Sequence, residues 1–172
     1  MNDGLAVETS GLVKRYGALA AVSGLSMRVE KGAIYGFLGR NGAGKTTTLR
    51  VLAGLTAADG GQAEVLGIPA GRDRTEILLR TGFVIDPILP GWMTGRDAAR
   101  FNRGFFPTWS DEAAGRYAAA LEVPMDRAFK KLSQGNKTKL CLVMAMAQQP
   151  ELLEKAFAEL EAAGRKQEGG QA

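Results

Sequence analysis

Leu25, Met27 and Val29 alternate with Ser26, Arg28 and Glu30. One side of this stretch is apolar and the other polar, which predicts a half-buried strand over residues 25–30. Lys31 and Gly32 then predict a turn. Residues 33–38 (AIYGFL) are apolar without alternation. A strand buried on both faces reads this way, typically inside a parallel sheet covered by helices. Beyond Gly44 the period changes: Leu49, Leu52 and Leu55 recur at helical spacing, with Gly54 near the end of the run. Residues 63–67 (AEVLG) and 82–85 (GFVI) predict two further short strands.

From Pro87 to Lys131 helical patterns dominate. DAARFNRGFF and SDEAAGRYAAALEV predict two helices, separated by FPTW. Ser110 is placed to cap the second, and Asp111 and Glu112 fall in its first turn, where acids favour the helix dipole. KLCLVMAMAQQ predicts a strongly apolar helix that stops ahead of Pro150, with Met144 and Met146 in the core. Leu153, Phe157 and Leu160 follow at helical spacing. They predict a last helix with one apolar face, ended by Gly164 and a frayed tail. On this reading the chain divides into residues 1–86, a helical part at 87–149, and a C-terminal helix and tail at 150–172.

Composition narrows the function. The chain has 172 residues, 45% of them apolar, enough for one ordinary core with a small appended subdomain. The 22 basic residues against 18 acidic ones leave a net charge of +4. That excess is too small to argue for nucleic acid by itself and reads as a mixed, solvated surface, so no nucleic-acid partner is expected; Lys130, Lys131, Lys137 and Lys139 read as part of such a face. With one cysteine, Cys141, no intrachain disulfide can form, which fits a reducing compartment. The chain has no histidine, so histidine is excluded as metal ligand, general base or pH switch. The opening MNDGLAVETSG does not read as a signal peptide. No apolar run approaches the ~20 residues that span a bilayer, so any membrane role is expected to run through a partner.

Residues 39–47 (GRNGAGKTT) match G-x-x-x-x-G-K-[ST] between a predicted strand and a predicted helix. In such a loop the glycines let the backbone curl until successive N–H groups point at phosphate oxygens. The helix N-terminus adds positive partial charge. Lys45 is placed to reach the β- and γ-phosphates. The Thr46 hydroxyl is placed to bind magnesium, and Thr47 to serve as a further donor. The loop specifies a nucleoside triphosphate without choosing among kinases, GTPases and motor ATPases.

Two other stretches help to choose. Tyr16, in LVKRYG, offers an aromatic face that can stack on adenine. KLSQGNKTKL opens the apolar helix: Ser133 carries a hydroxyl and Gly135 allows close backbone approach. Such a helix tip suits the γ-phosphate of a nucleotide held by another molecule. In order and spacing, Tyr16, the 39–47 loop and residues 132–136 (LSQGN) resemble the nucleotide-binding domain of ATP-binding cassette (ABC) transporters, over residues 5–153.

The resemblance implies an α/β fold: a P-loop NTPase (RecA-like) core with N-terminal antiparallel strands and a helical subdomain, here truncated. It implies ATP and Mg2+ as cofactors. Tyr16 would stack on adenine. Gly39, Asn41, Gly42, Gly44, Lys45, Thr46 and Thr47 would form the Walker A contacts, and Ser133 and Gly135 the signature contacts. Thr46 and Asp86 would face the metal. GFVID falls at the Q-loop, which couples to membrane subunits. The implied partners are polytopic permease subunits and a second cassette, in a homo- or heterodimer arranged head to tail. The implied location is cytoplasmic, peripheral at the inner face of the cell membrane. FFPTW resembles a bacterial branch of exporters, and Trp92 and Trp109 are candidates for the membrane-subunit interface.

The chain also departs from the family. Relatives continue after a phrase like QQPELL with an apolar strand ending in Asp-Glu, whose acids order magnesium and water, and later with a switch histidine. Here QQPELL is followed by Glu154 and Lys155, then by a helix-like pattern. No catalytic residue is identified. Glu151 and Glu154 read as solvated helix charges, because a catalytic acid belongs at the C-terminal end of a central strand. Asp86 stands where the family has glutamine, sometimes glutamate, and residues 134 and 136 change the signature. The sequence therefore resembles a family member with an internal piece removed. It is expected to bind ATP, to hydrolyse it poorly, and to be marginally stable with an exposed strand edge. Two other readings stay open: an inactive fragment or interaction module, and a non-transport ABC ATPase. A plain kinase or GTPase leaves LSQG unaccounted for.

Overall fold

The computed structural model describes residues 4–33, 35, 37, 42–84 and 89–155. β1 (Leu5–Tyr16) and β2 (Leu19–Glu30) form a long antiparallel hairpin that turns at Gly17 and Ala18. With β3 (Gly60–Val65) and β4 (Ile68–Pro69) they build a sheet of order β2-β1-β3-β4. The predicted alternation holds at the end of β2: Val29 is buried, Leu25 and Met27 are half-buried, and Ser26, Arg28 and Glu30 are exposed. No alternation announces β1, because its period is broken. Val7 and Thr9 are buried, then burial shifts parity to Leu12. The break is a bulge at Gly11, where the register slips against both neighbouring strands. The Gly11 N–H donates to Ser26 Oγ at 2.9 Å, so the irregular backbone is still paired.

α1 (Lys45–Leu52) buries Leu49, Val51 and Leu52, as its spacing predicts; Leu55 lies beyond the helix end and is exposed. A second short helix, α2 (Arg74–Arg80), runs directly into β5 (Thr81–Val84). Asp73 caps α2 by accepting the Glu76 N–H. Val7, Leu12, Leu52, Val65 and Ile77 lie at the centre of one core.

A second core gathers Met93, Phe129, Leu140 and Val143. It lies among α3 (Gly95–Arg103), α4 (Asp111–Ala120) and α5 (Gln134–Ala147). A reciprocal cap between Thr94 and Asp97 starts α3. Ser110 caps α4 as predicted, accepting the Ala113 N–H at 3.1 Å. Met144 is buried, Trp109 packs against this core, and Trp92 is 68% exposed.

Two sequence expectations are corrected. The spacing of Leu153, Phe157 and Leu160 predicts a helix after Pro150, with no apolar strand. Instead Leu152–Lys155 form β6, a strand parallel to β5 that pairs Leu152 with Thr81 and Lys155 with Val84. The reason is tertiary. The Glu151 N–H donates to the Arg80 carbonyl at 2.9 Å. Its carboxylate accepts two bonds from the Arg80 guanidinium, at 2.6 and 3.0 Å. These bonds aim the chain along β5, where Leu152 packs on the first core. Strand pairing then outweighs a helix preference of a few tenths of a kcal/mol per residue. Phe157, Leu160 and Gly164 lie outside the described residues. The second correction concerns residues 33–38. Ala33, Tyr35 and Phe37 are described, none lies in a strand, and Tyr35 is 51% exposed. Among the described residues no strand pairs at these positions, and Ile34, Gly36 and Leu38 lie outside the described residues.

Arg80→Ala tests the tether on β6. Both side chains are substantially exposed, so the loss at neutral pH is expected to stay within about 1 kcal/mol. Hydrogen bonds from Arg80 hold the Glu151 carboxyl below the usual carboxylate range. A depressed folded pKa contributes stability above the unfolded value and loses it as pH falls. The difference in urea midpoint between Arg80→Ala and the unmodified chain should therefore shrink on acidification below about pH 4.

Candidate functional site

The glycine loop meets α1 at Gly44, which has φ +86°. A Cβ there would lie 2.2 Å from the Ala21 carbonyl oxygen of β2. Glycine is required twice over, for the left-handed backbone and for the close approach to the hairpin. Thr48 locks the junction from below. It is 1% exposed, and its hydroxyl and its N–H both donate to the Gly44 carbonyl, at 2.9 and 2.8 Å. The N-cap Gly44 offers no side-chain acceptor to the first turn of α1, and that turn carries no acid. The N-terminus of α1 thus presents its first-turn backbone at the positive end of the helix dipole.

Lys45, Thr46 and Thr47 are half-buried in this first turn. They line a cavity of about 290 Å³ together with Gly42, Ala43 and Gly44. The opposite wall comes from the hairpin tip: Tyr16, Leu19, Ala20 and Ala21. Tyr16 is half exposed, and the Lys14 ammonium lies 5.5 Å from the centre of its ring. The positive end of a helix and an aromatic ring therefore share one concave site. A larger hollow of about 550 Å³ adjoins it and shares Ala20, Ala21, Gly42, Ala43 and Lys45.

Of the residues predicted from sequence, Tyr16, Gly42, Gly44, Lys45, Thr46 and Thr47 come together at this cavity. Ser133 and Gly135 do not line it; they sit exposed at the N-terminus of α5. Ser133 Oγ accepts the Asn136 N–H at 3.2 Å, which leaves its O–H free to donate outward. Gly39, Asn41 and Asp86 lie outside the described residues. Sequence reasoning missed Leu19, Ala20 and Ala21, which reach the site only through the hairpin, and Thr48, whose role is an anchor. Among the described residues no group of three or more acidic, cysteine or histidine side chains is arranged to hold a metal. Burial pushes the Cys141 thiol up to about 11, so it is no nucleophile at neutral pH. Among the described residues no helix is long and apolar enough to cross a membrane.

Comparison with known proteins agrees with this geometry. The bacitracin transport ATP-binding protein BcrA of Bacillus licheniformis is 36% identical over 152 residues, covering 86% of this chain and 49% of that protein. The daunorubicin resistance ATP-binding protein DrrA2 of Streptomyces coeruleorubidus is 34% identical over 161 residues, covering 88% of this chain and 49% of that protein. The chain thus spans about half the length of the curated relatives it matches. A solved dimeric ATP-binding cassette, in a post-hydrolysis state with ADP and Pi bound, is similar in fold. Its TM-score is 0.73 at 18% identity, covering 87% of this chain and 72% of that one. The family model described as ABC transporter matches residues 22–154. With that span matched, and with the glycine loop seated against the hairpin as described, the chain belongs to the ABC transporter family.

Proposed function

We propose that this chain is an ATP-binding subunit of an ABC transporter that holds Mg-ATP between the α1 N-terminus and Tyr16. One observation carries the reading: residues 30 positions apart, Tyr16 and Thr46, line a single cavity with Lys45 and Thr47. Backbone donors and Lys45 neutralise the phosphates, and the ring of Tyr16 offers the base a stacking face. The Thr46 hydroxyl is the described group suited to magnesium, a hard cation that takes oxygen ligands and retains several waters. Bound there, the metal would neutralise charge on the β- and γ-phosphates.

Ser133 and Gly135 act on a second nucleotide in this reading, one held by a paired cassette. Their exposure at the tip of α5, away from the chain's own cavity, supports that role. So does the dimeric state of the structural relative. Separate membrane subunits would receive the coupled motion, as expected for a relative of a transport ATP-binding protein. The chain hydrolyses ATP poorly in this proposal, since no Asp-Glu pair follows β6.

Thermal unfolding with and without Mg-ATP tests the binding step. At a ligand concentration about 100-fold above its dissociation constant, the unmodified chain should gain about 2.7 kcal/mol. Lys45→Ala should show no shift. No shift in the unmodified chain overturns the proposal.

A further inference from the structure

The tip of the β1–β2 hairpin projects beyond the rest of its sheet. β1 pairs with β3 only as far as Val13 and Gly60. Tyr16 lies three residues further on, at the last pair of the hairpin, opposite Leu19. Asp59 takes over where the ladder stops. Its N–H donates to the Val13 carbonyl at 2.9 Å. Its carboxylate accepts the Arg15 N–H at 2.6 Å and the Lys14 ammonium at 3.2 Å. A side chain thus continues the hydrogen bonding that the β3 backbone has ended.

Lys14 and Tyr16 are two residues apart on one strand, so their side chains share a face. The Lys14 side chain is only 12% exposed, and its ammonium sits at cation–π distance from the Tyr16 ring. Asp59 sits at the other end of this chain of contacts, on the connection that leads from α1 to β3. The helix that presents the phosphate cradle is therefore linked through Asp59 and Lys14 to the ring at the opposite wall of the same cavity.

We propose that Asp59 is a positioning residue for nucleobase binding, fixing the Tyr16 ring through Lys14 and the Arg15 amide at a set distance from the phosphate cradle. The inference rests on the nucleotide reading above and deepens it. The ligand it serves is the aromatic base of a nucleoside triphosphate, and the phosphates gain nothing from it. The Arg15 amide first, and Lys14 second, hold the Asp59 carboxyl below the usual carboxylate range, so it stays ionised at neutral pH.

The test is calorimetric titration of the full chain with Mg-ATP and, separately, with magnesium tripolyphosphate, which has no base. Asp59→Ala should weaken ATP by about 5- to 10-fold, within the range that base stacking on an aromatic ring supplies. Tripolyphosphate affinity should stay within about twofold, the error of additive comparisons. Tyr16→Ala should also weaken ATP, and adding Asp59→Ala to it should cost no more than about a further twofold, because the ring that Asp59 positions is already gone. Asp59→Asn retains an acceptor for the Arg15 amide but not the charge that holds Lys14, and should fall between the unmodified chain and Asp59→Ala. Equal loss for both ligands overturns the proposal, since it would mark a general loosening of the loop. Fully additive losses, or no loss for ATP, also overturn it. Absence of binding to either ligand in the unmodified chain would overturn the nucleotide reading itself. Tripolyphosphate binding that Lys45→Ala removes, with ATP bound no more tightly, would overturn only the role of the base platform.

Discussion

Hydrolysis of Mg-ATP by the purified chain is expected to run at least about 10³-fold slower than by a complete cassette of the family, the scale on which losing one charge-stabilising group acts in phosphoryl transfer. The chemistry needs a placed metal and an aligned water more than it needs a covalent participant. The segment after α5 reads Leu152, Leu153, Glu154, Lys155, with no Asp-Glu pair, and the chain contains no histidine. Glu151 is committed to Arg80 through two hydrogen bonds and precedes β6 instead of ending it. A coupled phosphate-release assay checks the expectation, with Lys45→Ala as the background. A rate equal to that of a complete cassette, abolished by Lys45→Ala, would overturn it. If Glu154→Gln also abolished that rate, the acid in β6 would be the base.

Gly61→Ala is expected to lower the folding stability by at least about 3 kcal/mol, from a backbone strain and a steric overlap acting together. Gly61 has φ +73°, and a Cβ there would lie 2.2 Å from the Gly11 carbonyl oxygen, 2.4 Å from its carbon and 2.6 Å from the Leu12 nitrogen. All three are backbone atoms of the bulge in β1, and β1 is the strand that both β2 and β3 pair with. None can swing aside as a long side chain would. Gly67→Ala is the matched control. Its φ is +78°, with nothing within 4 Å of the added atom, so it should cost only the left-handed backbone term of about 1–2 kcal/mol. Urea midpoints for the two variants separate overlap from strain. Equal losses would mean that the bulge yields, and that the close approach at Gly61 is not a constraint. Against a total stability of about 5–15 kcal/mol, the larger loss is enough to endanger folding.

Part of the candidate site is legible in the sequence. Gly42, Gly44, Lys45, Thr46 and Thr47 are readable because a glycine-rich loop that opens a helix is specified by a short run of residues, and the structure brings these five to one cavity. The helices α1, α4 and α5 were readable for a similar reason: their apolar spacing, the Ser110 cap and the stop before Pro150 are local signals. The end of β2 was readable because its alternation is unbroken. β1 was not, because the bulge at Gly11 switches the buried side midway, and a period that changes phase looks like no period.

The sequence by itself thus picked out the glycine-rich entry to α1, Tyr16, and α5 with Ser133 and Gly135 at its tip. Only the tertiary structure decided which of these meet. Tyr16 reaches the α1 N-terminus because a hairpin of two 12-residue strands carries it there, and Asp59 bonds to the hairpin tip because β3 stops short of it. Tertiary contacts also turned residues 152–155 from the helix their spacing favours into a strand beside β5, through the Arg80–Glu151 tether. Local propensity differs by tenths of a kcal/mol per residue, whereas a backbone group left unpaired in the interior costs about 1–3 kcal/mol. Wherever the two compete, long-range pairing decides.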